Sequence, residues 1–168
     1  MGTSHETRNN KLDKIARELE KIDKKTIEVG VFQGEQKWLA HIHEFGCDIT
    51  VTPKMRAYLH RQGLHLKENT TRIRIPERSF LRSGYDENRS MVLNHGKAML
   101  ADVAGGTMSA DEMFKGIGQE LSRAIKDYAV DLRDPANHPF TTGQKGSSNP
   151  LVDSGDMIGG ITYRVVNK

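Results

Sequence analysis

The chain has 168 residues, about one domain's worth and long enough to bury a real core. Apolar residues make up 36% and charged residues 28%, with a net charge of +3 and a mean hydropathy of -0.62. That composition implies a modest core under a very polar surface, with polar excursions too poor in apolar area to offset their own ordering entropy. No run approaches the roughly 20 apolar residues that a bilayer-spanning helix needs. The start, MGTSHETRNNKLDK, lacks the apolar stretch of a secretory signal. The single cysteine, Cys47, excludes an intrachain disulfide, so synthesis in a reducing cytoplasm is expected.

In chain order, residues 1–8 look disordered. Residues 10–25 then read as a surface helix, with Leu12, Ile15, Ala16, Leu19 and Ile22 on one stripe. Its other face offers the i,i+4 pairs Asp13–Arg17 and Glu20–Lys24. Thr26 to Phe32 alternates as a half-buried strand, with Ile27, Val29 and Val31 facing one way. After Gln33-Gly34-Glu35 a short helix follows, with Trp38, Leu39, Ile42 and Phe45 on its apolar side and Gly46 as its stop. Asp48 to Thr52 is a second strand candidate and Lys54 to Gln62 another short helix, ended by Gly63. Leu64–Lys67 and Arg72–Ile75 read as a hairpin across residues 68–71.

Two long helices come next. Tyr85 to Val103 presents Val92, His95, Met99 and Val103 on one face and ends at Gly105-Gly106. The second starts at Ser109, where Ser-Ala-Asp-Glu forms a capping box with Glu112. Its stripe is Met113, Phe114, Ile117, Leu121, Ile125, Tyr128 and Leu132; Gly116 and Gly118 within it imply close packing against another backbone. Residues 134–150 are a loop by every local signal, and a long one. A helical turn near Asp156–Gly159 and a strand from Ile161 to Val166 close the chain. This order predicts a single α+β domain: a small antiparallel or mixed sheet, two long helices, several short ones and long polar loops.

Chemistry-bearing motifs are weak. His41 and His43 are two apart on a helix, point about 200° away from each other and cannot share one ion. Cys47 has no base-plus-orienter arrangement nearby. Gly116-Ile117-Gly118 lies within a helix and does not follow a strand, and no Walker lysine is present. No catalytic, metal or cofactor site is expected. The clearest charge feature is basic: Lys54, Arg56, Arg61, Lys67, Arg72, Arg74, Arg78 and Arg82 against Glu68 and Glu77. In Arg72-Ile73-Arg74-Ile75 the arginines share one strand face. Phosphate contact with DNA, ion pairing with an acidic patch on a neighbouring subunit, and a solvated strand face all fit this pattern. No aromatic residues are interleaved with these arginines, which argues against a dedicated single-strand binder.

At Ile75-Pro76-Glu77-Arg78-Ser79-Phe80-Leu81-Arg82, followed by Tyr85-Asp86-Glu87-Asn88, the chain resembles the tail-completion and virion-morphogenesis proteins of tailed bacteriophages. Tail components encoded in prophages belong to the same group. Ile27-Glu28-Val29-Gly30-Val31-Phe32, then Leu39-Ala40-His41-Ile42-His43-Glu44-Phe45-Gly46, then Pro150-Leu151-Val152-Asp153-Ser154-Gly155 and Ile161-Thr162-Tyr163 agree in order with that family's pattern. The likeness spans about residues 26–166. The basic insert at 53–67 and Gly159-Gly160 depart from it.

The resemblance implies a non-enzymatic virion protein of the tail or neck, made in the bacterial host cytoplasm. It would form a homo-oligomeric, six-fold ring between a tail terminator or tail tube protein and a head-completion or connector protein, with genomic DNA passing the lumen. Tail terminator, minor tail protein and small basic DNA-binding protein are the alternatives. Arg72, Arg74, Arg78, Phe80 and Arg82, with His138, Phe140 and Lys145 in the long loop, are the candidates for subunit-interface or lumen contacts. On that expectation, replacing Arg74 and Arg78 with Glu abolishes head-tail joining and leaves the monomer folded.

Overall fold

The computed structural model describes residues 3–168, with side chains from Asn9 onward. The chain is α+β. Its elements are α1 (Thr3–Lys24), β1 (Lys25–Val31), α2 (Gly34–Phe45), β2 (Cys47–Thr50), α3 (Pro53–Arg61), β3 (Arg72–Ile75), α4 (Phe80–Gly105), α5 (Ala110–Asp131), α6 (Pro139–Lys145), α7 (Asp156–Gly159) and β4 (Ile161–Asn167). Met1 and Gly2 lie outside the described residues. From Thr3 the backbone is helical, which corrects the disordered start expected for residues 3–8.

Instead of one small sheet there are two antiparallel pairs, β1–β4 and β2–β3. The first joins the two ends of the fold, with Val31 opposite Ile161 and Val29 opposite Tyr163. Its inner face lies on α5, and Glu28 and Arg164 pair across its outer face at 2.7 Å. The α5 stripe is as the spacing predicts: Met113, Phe114, Leu121 and Ile125 are buried. So is its cap, since Ser109 Oγ accepts from Glu112 N while the Glu112 carboxylate accepts from Ser109 N. A second carboxylate, Glu18 of α1, accepts from Ala110 N at 2.8 Å and fastens α1 to the same helix start. Glu18 is held below the usual carboxylate range by the Lys21 hydrogen bond first and by this one second.

Burial organises two adjoining cores. One gathers Val31, Ala40, Phe80, Val92, Leu121, Ile125, Leu151, Met157, Ile158 and Ile161; the other holds Val103, Ala110, Met113 and Phe114. Gly118 is required at their flank, because a methyl group built there would overlap the Tyr163 ring. Gly116 faces the Met99 side chain. Both glycines make room for side chains, not for the backbone that the sequence suggested.

Two further expectations are corrected. Leu64–Lys67 is not a strand, and β3 pairs with β2, bringing Arg74 opposite Asp48 and Arg72 opposite Thr50. The hairpin partner lies upstream because α3 and the following loop fold back between the strands. The loop is fixed by Arg56, whose guanidinium donates to the carbonyls of Leu66, Lys67, Glu68 and Thr70. Helix α4 also starts five residues before Tyr85, for a reason that lies in the site below.

Candidate functional site

Helix α4 has an N-cap residue, Ser79, that makes no side-chain capping bond. Its exposed donors are satisfied by tertiary structure. The Glu44 carboxylate, at the end of α2 and only 3% exposed as a residue, accepts from Leu81 N at 2.8 Å and Arg82 N at 3.1 Å. A carboxylate at a helix N-terminus meets both the orphan N–H groups and the positive end of the helix dipole. Arg82 then encloses it, donating from Nε to Glu44 Oε1 at 2.9 Å and from Nη2 to Glu44 O and Glu77 Oε1. These carboxylates hold the Arg82 guanidinium above its ordinary range, Glu44 foremost.

Gly46 makes the geometry attainable. Its φ of 69° is in the region that favours glycine, and a Cβ there would stand 2.8 Å from Glu77 N and 2.9 Å from Ile75 O. The strand end and the helix end thus meet backbone to backbone.

Next to this cap lies Arg78, 3% exposed and, among the described residues, without a carboxylate partner. Its Nε donates to Pro135 O at 2.6 Å, and Nη2 donates to Ala136 O and Asn137 Oδ1, both at 3.1 Å. Its Nη1 stands 3.4 Å from His43 Nδ1, and its backbone N–H donates to His43 O at 2.7 Å. Burial lowers the guanidinium's pKa. Burial likewise pushes the His43 imidazole down to about 4, reinforced by the charges of Arg78 and Lys145. A neutral ring can accept from Arg78; a protonated one cannot.

Lys145 repeats the device from the other side of the loop. Its ammonium donates to the carbonyls of Asn149, Pro150 and Val152. Residues 134–150 are therefore not a free excursion: they hold α6, Arg78 fastens their start to the body, and Lys145 closes their end on neighbouring carbonyls.

The sequence candidates thus separate. Arg72 and Arg74 are exposed on the outer face of the β2–β3 ribbon, with Ile73 and Ile75 half-buried on the other, as the alternation predicts. Arg78 and Phe80 are interior, Phe80 being fully buried, so neither has surface to give a neighbour. Reversing Arg78 to Glu would also leave four hydrogen bonds unmade, which removes the expectation that such a variant stays folded. Arg82 is half exposed and tied to Glu44. His138 is exposed, and its ring caps α6 by accepting from Phe140 N. Phe140 and Lys145 are half-buried.

What the sequence reading missed is the outer face of α2. The buried positions are Ala40 and Glu44, whereas Trp38, Leu39 and Phe45, expected on the apolar side, are 66%, 41% and 53% exposed. Trp38 stacks on His41 with ring centroids 6.1 Å apart. His41 leans on Phe45 at 4.9 Å, and the Arg82 guanidinium covers Phe45 at 4.8 Å. Trp38, His41 and Phe45 stand at i, i+3 and i+7, a spacing that marks one face but not which side it takes.

Family models, curated proteins and solved structures offer no match to this chain. Of the segments singled out in the sequence, Glu44-Phe45-Gly46 and Ile75–Arg82 build the folding node just described, whereas Ile27–Val31 and Ile161–Tyr163 lie in the β1–β4 pair. Among the described residues no three His, Cys, Asp or Glu side chains are grouped to hold a metal ion, and no helix is long and apolar enough to cross a membrane.

Proposed function

We propose that this chain is a non-enzymatic structural subunit of a tailed-phage virion, a tail-completion or neck protein working as one copy in a ring. Its neighbours would be further copies of itself, a tail terminator or tail tube protein, and a head-completion or connector protein. A tail terminator or minor tail protein is the close variant of the same reading. The ordered motifs between residues 26 and 166 support it.

The structural observation that carries it is the Trp38–His41–Phe45–Arg82 column. Aromatic and arginine side chains dominate the energetics of protein–protein interfaces, the aromatics because they bury large areas at low entropic cost and arginine through its planar fork of donors. Here three side chains on the exposed face of α2 and the half-exposed Arg82 of α4 are already ordered against one another, beside the node that fixes α2 to α4. That is a preorganised surface for protein contact.

The test is negative-stain imaging of particles from a strain lacking this gene, complemented with the wild-type chain or with Trp38→Ala/Phe45→Ala. Separate DNA-filled heads and finished tails in the deletion support a joining role, and tails of abnormal length move the role to the terminator. The double variant is expected to fold and fail to complement. Normal infectious particles without the gene would overturn the proposal.

A further inference from the structure

The eight cations between Lys54 and Arg82 divide into two sets. Arg56, Arg78 and Arg82 are spent on main-chain carbonyls and on Glu44 and Glu77. Lys54, Arg61, Lys67, Arg72 and Arg74 are exposed, and among the described residues none has a carboxylate within ion-pair distance. All five belong to residues 47–75, the lobe of β2, α3 and β3. That lobe contributes nothing to either core and makes only marginal contact with the other helices and strands. It holds six cations against Asp48 and Glu68, a net +4, while the whole chain carries +3.

We infer that this lobe binds the phosphate backbone of duplex DNA. The inference concerns the lobe alone and does not rest on the ring. Arg72 and Arg74 point the same way about 7 Å apart along β3, a spacing that reaches neighbouring phosphates of one strand. Asp48 and Thr50 share that face opposite Arg74 and Arg72, leaving it net positive, and Thr70, Thr71 and Asn69 in the adjoining loop add neutral donors of the kind that phosphates accept. A two-stranded ribbon is also narrow enough to enter a major groove.

A protein partner is disfavoured by what the lobe lacks. Protein interfaces are built around apolar and aromatic anchors and are poor in lysine at their centres. Tyr58 is the only large hydrophobic side chain exposed on this lobe, while the exposed Trp38, Phe45, Leu93 and Leu100 lie elsewhere. With so little aromatic surface to stack unpaired bases, duplex is preferred over single strand.

The experiment is fluorescence anisotropy of the full chain with a labelled random-sequence duplex and the matching single strand, over a salt series. Wild type should bind the duplex more tightly, with log K falling against log salt at a slope of about -4 to -5 if five phosphates are engaged. Arg72→Ala/Arg74→Ala should weaken binding at least about tenfold at low salt and reduce the slope by about two. Its thermal melt should match wild type, because neither side chain is buried.

No duplex binding up to about 100 μM protein in about 50 mM salt would overturn the inference, since non-specific binders exceed that affinity. Binding unchanged in the double variant, or preference for the single strand, would do the same. So would loss of salt-sensitive self-association in that variant without DNA binding. That outcome would assign the arginines to a second copy, whose acidic α4–α5 groove at Glu87, Asp127, Asp131 and Asp134 is the complementary surface.

Discussion

Arg74 and Arg78 are four residues apart and behave as different kinds of residue. Arg74 is exposed on the outer face of a ribbon with no ion pair among the described residues, whereas Arg78 is sealed against three residues of a distant loop. The difference comes from what each neighbourhood lacks. The start of the 134–150 loop turns the carbonyls of Pro135 and Ala136 toward the buried Arg78, and a polar group left unpartnered at such a contact is costly. A guanidinium can satisfy several such oxygens at once from one planar fork. The ribbon makes no such demand on its arginines, because half of its carbonyls pair across β2–β3 and the rest lie along its open edges, so Arg72 and Arg74 are left to solvent or to a ligand. One region uses positive charge to hold the chain to itself, the other to face outward.

The largest expected effect separates the two directly. Arg78→Ala should destabilise the protein by about 3 kcal/mol or more, because the carbonyls and Asn137 lose their donor inside the structure. Thermal melts should fall by roughly 6–12 °C for a chain of this size, with residues 134–150 becoming the first site of limited proteolysis. A melt within a degree of wild type would break the comparison. Glu44→Ala should come next, at about 2–3 kcal/mol, since it uncaps α4 and strands Arg82. Urea unfolding measures it, and a loss below about 0.5 kcal/mol would show that Ser79 or water can replace the carboxylate.

The His43 ring sharpens the comparison through pH. Its folded pKa of about 4 lies below the ordinary 6.5, with burial first among the causes and the Arg78 and Lys145 charges after it. The unfolded chain therefore takes up the proton first. The stability held by the neutral ring is complete above pH 6.5, declines as pH falls and is exhausted below about 4. The contribution is up to about 3 kcal/mol. His43→Gln should flatten the stability profile between pH 6.5 and 4; an unchanged slope in that variant would show that the ring beside Arg78 does not carry this pH dependence. The smallest effect is expected on the ribbon, where Arg74→Glu should change stability by no more than about 0.5 kcal/mol in chemical denaturation.

Residues that the sequence read correctly are those whose structure depends on near neighbours. The Ser109–Glu112 box, the α5 stripe and the alternation at Ile27–Val31 and Arg72–Ile75 are written in spacings of two to four residues. The tertiary devices are not. Glu44 caps a helix that begins 36 residues later, and nothing in His-Glu-Phe-Gly distinguishes a buried cap from a surface acid. The α2 face failed for a related reason: periodicity locates a stripe, and only the packing of Ala40 and Glu44 against the body decides that the aromatic side looks out.

From its own residues, then, the chain determined the α+β class, most element positions, the capping of α5 and the clustering of positive charge. Local backbone preference and side-chain periodicity suffice for those. Only the tertiary structure decided which strand pairs with β3, which arginines are spent inside and which remain outside, and that the long loop is stapled down. Those outcomes depend on desolvated hydrogen bonds between segments up to 59 residues apart, and such bonds have no signature in the spacing of the sequence.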